Sequence, residues 1–275
     1  MWHEFKIVLP EAMKEPVTAV LFGLGCQGTS DGDGSIDAFF GSDVLVGDVE
    51  AALSGLDGVT FTHTVVEEQD WYAGWKQGFR PLHACGLLIC PPWLEDKPAP
   101  GERLVVLDPG QAFGTGDHVT TMTVLTMLKE WAEAQGDVSG ARLLDLGTGT
   151  GILSIAAFLF GVRDITAVDN ERQAVETATR NFSLNGLTDK IKLLSGSITA
   201  AGGGYDIILA NIFQEALLDV MPGAATALRA GGSIIVSGLL AGQEGAVIDA
   251  AGRVGLSLVE VRPGGGWVSA MLRAG

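Results

Sequence analysis

The stretch LLDLGTGTGILSIAAFLF, residues 143–160, decides the fold of this chain. Its beginning is a largely apolar run typical of the end of a buried parallel strand, and the run from Ile152 onward predicts a helix. Between them, Gly147, Gly149 and Gly151 predict a tight loop, because a residue without a Cβ turns sharply and lets a ligand approach the backbone. This order of strand, glycine loop and helix indicates a nucleotide-binding unit.

The spacing of the glycines argues against a dinucleotide. Residues Asp145 to Gly151 have the pattern D-x-G-x-G-x-G, whereas a dinucleotide fingerprint, G-x-G-x-x-G, would place its third glycine where this chain has Ile152. A second strand-like run ends at Asp169, where a carboxylate can accept hydrogen bonds from both hydroxyls of a ribose. The loop and the spaced acid together resemble the class I methyltransferases that bind S-adenosylmethionine.

Strand-like and helix-like segments alternate regularly from residue 141 onward. Four residues, Pro263 to Gly266, link the last two predicted strands, and a link this short makes an antiparallel hairpin. The expected fold is α/β, with a doubly wound, seven-stranded, mostly parallel, Rossmann-like sheet. The strands are predicted near 142–146, 164–168, 191–195, 205–210, 232–238, 256–262 and 267–272, and the helices near 152–160, 171–184, 214–229 and 241–253.

The N-terminal residues predict a small α+β module. A turn is expected at 30–34, and its Asp31 and Asp33 do not suffice for an EF-hand calcium loop, so no metal is expected. The order of elements, β-α-(β)-β-α-β, is ferredoxin-like. Strands are predicted near 5–9, 36–40 and 59–66, and helices near 10–24 and 44–53.

A connector rich in tryptophan and proline follows at 67–101. Its few basic residues favour packing between two domains over stacking on nucleic acid. A short helix from Glu67 to Lys76 and a strand from Gly86 to Cys90 are predicted within it. The expected domains are therefore 1–66, the linker 67–101 and 102–275.

The composition of the chain indicates which binding partners and which cellular location to expect. Lys and Arg total 17 against 33 Asp and Glu, a formal net charge of −16. Such a charge repels free nucleic acid and steers basic partners toward the protein, although it also serves solubility. Three cysteines without a C-x-x-C pair indicate reduced thiols. With no apolar leader and no apolar run long enough for a bilayer, a cytoplasmic protein without membrane contact is expected.

A second glycine-rich segment, Asp108 to Thr121, precedes the sheet and contains Phe113 and Gly114. Asp117 is expected to cap the helix that follows. His118 is a candidate general base. No neighbouring Cys, His or carboxylate pattern specifies a metal or a catalytic dyad, so a role in ordering the loop is equally compatible.

The run YDIILAN ends an apolar strand in Asn211. Because ligands of doubly wound sheets bind at the carboxyl ends of the strands, Asn211 is expected beside Gly147. The alternative is an N-cap for the following helix. Amino-methyltransferases of nucleic acids have Asn/Asp-Pro-Pro-aromatic here, and Asn211-Ile-Phe-Gln does not fit that pattern.

These motifs resemble the ribosomal protein methyltransferases of PrmA type, which methylate large-subunit ribosomal protein eleven. The resemblance covers nearly the whole chain and is most specific in Asp108 to Thr121, with support from Asp145 to Gly151 and from Ala210-Asn211-Ile212. It implies an N-terminal substrate-recognition domain and Asn211 facing the methyl group or the incoming amine. It further implies contacts with S-adenosylmethionine at Thr121, Gly147, Asp169 and Asn211, together with Phe113, Gly114 and Gly149 of the two glycine loops.

The resemblance implies methyl transfer to lysine or N-terminal amines of that ribosomal protein by a monomer without metal or direct nucleic-acid contact. Three alternatives stay open. The same chemistry on another protein's lysine is the first. An NAD oxidoreductase is disfavoured by Ile152, and a non-catalytic S-adenosylmethionine sensor would bind the cofactor without turnover.

Overall fold

The computed structural model describes residues 2–10, 13–32, 34–42, 44–56, 58–66, 81–108 and 118–275. The chain forms two compact units, Met1–Phe79 and Arg80–Gly275.

The small unit is a four-stranded antiparallel sheet with order β2-β3-β1-β4, the ferredoxin-like arrangement that the sequence predicts. Phe5 and Ile7 are fully buried while Lys6 and Val8 are exposed, so one face of β1 forms the core. The elements are β1 (Trp2–Val8), α1 (Lys14–Gly23), β2 (Cys26–Gly32), β3 (Ser35–Phe40), α2 (Val46–Ser54) and β4 (Thr60–Val66).

The expectation of a turn over residues 30–34 was wrong at its start, because β2 continues through Gly32. Its sequence, CQGTSDG, has neither β-branched nor aromatic residues apart from one threonine. Pairing with β3 supplies the missing preference: Gly32 aligns with Ser35, and Thr29 with Ala38. A neighbouring strand therefore overrides the weak local tendency.

The large unit begins with a three-stranded sheet of order β5-β6-β7. It consists of β5 (Leu82–Ala84), β6 (Leu87–Cys90) and β7 (Arg103–Val106). The predicted strand Gly86 to Cys90 corresponds to β6, and the predicted helix Glu67 to Lys76 lies outside the described residues. Residues 81–101, which sequence analysis assigned to a linker, thus contain two strands, and Leu87 and Ile89 join a core cluster of the large unit.

The main sheet has the order β10-β9-β8-β11-β12-β14-β13. Neighbours are parallel except around β14, which is antiparallel to both β12 and β13. This confirms the predicted seven-stranded, doubly wound sheet with one reversed strand. Its strands are β8 (Arg142–Leu146), β9 (Asp164–Asp169), β10 (Ile191–Ser195), β11 (Tyr205–Asn211), β12 (Leu228–Leu240), β13 (Leu256–Gly264) and β14 (Trp267–Ala274).

Helices cover both faces of this sheet. In β8, Leu143 packs in one buried cluster and Leu144 in the other, so consecutive residues bury opposite faces. Among the described residues, no helix combines the length and the apolar character needed to cross a membrane. The helices are α3 (Val119–Gln135), α4 (Ile152–Phe160), α5 (Arg172–Leu184), α6 (Ile198–Ala201), α7 (Gln214–Ala227) and α8 (Glu244–Arg253).

Candidate active site at the sheet switch point

The chain reverses its direction across the sheet between β8 and β11. From β8 it runs outward through β9 and β10, then returns to β11 on the other side. In the parallel register Leu146 aligns with both Val168 and Ala210. The residues that follow, Asp169 and Asn211, therefore lie level with Gly147. This is the crevice at which doubly wound sheets bind ligands.

The loop after β8 needs glycine on steric grounds. Gly147, Gly149 and Gly151 have φ values of 72°, 55° and 83°, in the left-handed region. A Cβ on Gly147 would collide with the Ile212 side chain, and one on Gly151 would lie 2.5 Å from Cε1 of Phe182. The loop backbone is thus packed closely at Gly147 and Gly151, where a larger residue would have to displace Ile212 or Phe182.

Asp169 is fixed against this loop. Its Oδ2 accepts a hydrogen bond from Gly149 N at 2.9 Å, and its Oδ1 accepts one from Glu171 N at 3.0 Å. The side chain is 8% exposed, so it lies at the rim of the crevice. A carboxylate has about four lone-pair positions, which leaves each oxygen able to accept a further hydrogen bond.

Asp145 lies beneath the same loop and is fully buried. Its Oδ2 accepts hydrogen bonds from Thr148 Oγ1 at 2.7 Å and from Ser154 N and Oγ at 3.2 and 2.7 Å. Burial raises the pKa of Asp145 from 3.8 to about 6, with a further rise from the charge of Asp169, against the lowering by these hydrogen bonds. This carboxylate braces the loop from inside.

Asn211 and Thr121, two predicted site residues, meet in the crevice. Asn211 Nδ2 donates to Thr121 Oγ1 at 3.4 Å, and Thr121 lies buried in the first turn of α3. Asn211 Oδ1 is buried and has no hydrogen-bond partner among the residues that the structure describes. The N-cap of α7 is Phe213, so the alternative that Asn211 caps this helix is wrong.

The N-cap of α3 is His118, and the expectation of Asp117 in this role was wrong. His118 Nδ1 accepts from Thr120 N at 3.4 Å and lies 2.7 Å from Thr120 Oγ1. The His118 ring meets Trp267 edge to face, with centroids 5.0 Å apart. These contacts favour the ordering role over that of a general base. Phe113 and Gly114 lie outside the described residues.

Sequence reasoning missed Asn181 of α5, which is fully buried and bonded to the glycine loop through Thr150 O at 2.8 Å. A signal was available. Asn181 lies next to Phe182 and one turn after Thr177 and Ala178, all on the buried side of a helix with an otherwise polar face. A polar amide on a buried helix face indicates a specific partner.

The seven-stranded sheet with one reversed strand, the glycine loop and the acid at the end of the neighbouring strand define a Rossmann-like methyltransferase. The family model for ribosomal protein L11 methyltransferase (PrmA) matches residues 31–274, and the chain belongs to this family. Its methyl donor is S-adenosylmethionine, as the motif resemblance predicts.

Relatives with the name ribosomal protein L11 methyltransferase occur in several bacteria. The one from Geotalea uraniireducens is 34% identical, covering 97% of this chain and 96% of the relative. The one from Pelobacter propionicus is 39% identical, covering 76% of this chain and 68% of the relative. The crystal structure of a ribosomal protein L11 methylase from Lactobacillus delbrueckii subsp. bulgaricus matches with a TM-score of 0.63 at 30% identity, covering 72% of this chain and all of that one.

Proposed function

We propose that this chain transfers methyl groups from S-adenosylmethionine to lysine side chains or the N-terminal amine of ribosomal protein L11, in the cytoplasm. The observation that carries the proposal is the acceptor Oδ1 of Asn211, buried at the switch point without a partner among the described residues. An unpaired buried acceptor is costly, and an incoming amine N–H would satisfy it.

The residues of the crevice fit the donor. Gly147 and Gly149 offer close backbone approach, and Asp169 retains acceptor capacity for the two ribose hydroxyls. Thr121 orients Asn211 from the α3 side. Phe113 and Gly114 are proposed to approach the same donor on sequence grounds alone.

S-adenosylmethionine supplies a methyl group on a positively charged sulfur, which is already electrophilic. The protein's task is therefore to align a neutral amine and exclude water. A free lysine amine has a pKa near 10.4, and the loss of its hydration on entering the crevice favours its neutral form. Asn211 Oδ1 would accept one amine N–H and so direct the nitrogen lone pair.

The N-terminal unit is proposed as the substrate-recognition module. It has its own buried core, built around Phe5, Ile7 and Phe40, and therefore does not depend on the main sheet for its fold. The net charge of −16 supports a basic partner and disfavours free nucleic acid. A monomer is proposed.

Transfer of labelled methyl from S-adenosylmethionine to purified ribosomal protein L11, followed by mass spectrometry of the product, tests the proposal. Wild-type protein should methylate the substrate, while Asp169→Ala should fail to bind the donor and Asn211→Ala should bind it without efficient transfer. Donor binding without any transfer to ribosomal protein L11 would contradict the substrate and favour the alternative of another protein's lysine.

A further inference from the structure

We propose that Asn181 is a positioning residue that sets the exit of the glycine loop by tying it to Asp108, two residues beyond the end of β7. The proposal rests on the proposed donor site, since the loop in question is the one assigned to S-adenosylmethionine. Asn181 lies in α5, outside the crevice, and acts through the backbone of Thr150.

One amide group joins two separate segments. Asn181 Nδ2 donates to Thr150 O at 2.8 Å and to Asp108 O at 2.9 Å, while Oδ1 accepts from Asp108 N at 2.8 Å. Both amide hydrogens are therefore used, and the side chain is 0% exposed. A buried amide with its donors satisfied in this way has one allowed orientation, which makes it a rigid spacer.

The next residue of α5 supports the same part of the loop by packing. Phe182 lies so close to Gly151 that a Cβ there would be 2.5 Å from Cε1. Asn181 and Phe182 thus fix Thr150 and Gly151, the last residues before α4, by a hydrogen bond and by contact.

The entrance of the loop has a different support. Gly147 N and Thr148 N donate to Val168 O at 2.9 and 3.1 Å. The entrance therefore follows β9, while the exit depends on α5. Without Asn181, Thr150 O loses this donor and the loop exit loses its hydrogen bond to α5. Even a displacement of about 1 Å in a positioning element can reduce function by about 100-fold.

A matched control is Asn185, which is the C-cap of α5 one turn after Asn181 and whose Nδ2 also donates to Asn181 O at 2.7 Å. Asn185 accepts from Val106 N at 3.0 Å and donates to Val106 O at 2.7 Å, the same two-way pairing with the backbone of the β7 segment. It makes no hydrogen bond to the glycine loop among the described residues. Loss of Asn185 should therefore weaken the fold without displacing the loop.

The experiment compares Asn181→Ala with Asn185→Ala in the full chain. Calorimetric titration with S-adenosylmethionine gives the Kd, and calorimetric unfolding gives the Tm without ligand. We expect the Kd of Asn181→Ala to rise at least about 10-fold and that of Asn185→Ala less than about 2-fold, with similar losses of Tm. If Asn181→Ala does not fold, Asn181→Ser, which leaves a smaller cavity and keeps a hydroxyl, takes its place.

Equal Kd values for wild type and the Asn181 variant, or equal losses of donor affinity in the Asn181 and Asn185 variants, would overturn the positioning role while leaving the donor site intact. Failure of the wild-type protein to bind S-adenosylmethionine would instead overturn the donor site, and the inference with it. The two failures are thus distinguishable.

Discussion

The ends of β8 and β9 carry the same side chain in opposite environments. Asp145 aligns with Ala167, so Asp169 lies two residues further along the neighbouring parallel strand and on the same face of the sheet. Asp145 is sealed under the glycine loop with three hydrogen bonds to one oxygen. Asp169 lies at the rim, with one backbone N–H on each oxygen.

The two carboxylates have the same chemistry, so their different roles come from their positions relative to the glycine loop. The buried one uses its hydrogen bonds to hold the loop and the start of α4. The one at the rim retains acceptor capacity for a ligand. Two strand positions, about 7 Å, separate a bracing group from a binding group.

The largest expected effect tests the role of Asp169 in binding the donor. Asp169→Asn should weaken S-adenosylmethionine at least about 100-fold, because hydrogen bonds to a charged group contribute about 1.5–3 kcal/mol each. Calorimetric titration measures the Kd. Asp164→Asn, at the opposite end of β9 in an exposed ion pair with Arg142, serves as control and should bind normally. Unchanged affinity in Asp169→Asn would remove this residue from the donor site.

The buried carboxyl group of Asp145 predicts that the stability of the protein depends on pH. Because the folded-state pKa of Asp145 is raised from 3.8 to about 6, the folded protein binds a proton more tightly than the unfolded chain. Stability from this group is therefore present below about pH 4 and is lost as pH rises through about 6, a loss of about 3 kcal/mol. Urea unfolding of wild type and Asp145→Asn across this window measures it.

Wild type should lose stability relative to Asp145→Asn as pH rises, since the variant has no charge to bury. Parallel pH profiles for the two proteins would show that Asp145 is not the titrating group.

The loop that separates the two carboxylates gives the next effect. Gly151→Ala should destabilise the protein by about 2 kcal/mol more than Gly186→Ala. Both glycines have positive φ, 83° and 66°, but among the residues that the structure describes only the Cβ at 151 would meet a neighbour, Phe182. Free energies of unfolding in urea provide the comparison. Equal costs would mean that Phe182 moves aside and that the loop is less tightly supported than its contacts indicate.

The smallest effect extends the comparison to a third strand end, that of β11. Thr121→Val removes the acceptor for Asn211 Nδ2 and should lower kcat about fivefold, as expected for one neutral hydrogen bond of about 1 kcal/mol. Thr123→Val, whose hydroxyl donates to Val119 O of its own helix, is the control. A kcat unchanged in Thr121→Val would separate Thr121 from the orientation of Asn211.

Sequence alone could predict the main sheet because its central strands, such as β8 and β11, are short apolar runs buried on both faces, and because Pro263 to Gly266 leaves too few residues for a crossover. The position of Asn211 beside Gly147 was predicted because ligands of doubly wound sheets bind at the carboxyl ends of the strands. The register of β8 with β9 and β11 agrees with this prediction. Features that depend on contacts between residues distant in the chain could not be predicted from the sequence. β2 has no strong preference of its own, and the shared amide of Asn181 requires Asp108 and Thr150 to be neighbours.

The different environments of the two carboxylates also could not be predicted from the sequence. Asp145 and Asp169 each end an apolar run, and nothing local distinguishes a sealed acid from one at the rim. The N-cap of α3 was misplaced by one residue for a related reason: Asp117 is a favoured capping type, while His118 caps through Nδ1 and is packed against Trp267, which belongs to a strand far along the chain.

The placement of β14 between β12 and β13 has a consequence for folding order. β13 leaves the ribosome before β14, and β14 is the strand that pairs with it. The β13 side chains Leu258, Val259 and Val261 stay partly exposed even in the folded protein. During synthesis they have no strand beside them until β14, Trp267–Ala274, follows. Hairpins form within about 1–10 μs, much faster than parallel pairs with long connections. We expect β13 and β14 to pair first and to join β12 as one folding unit.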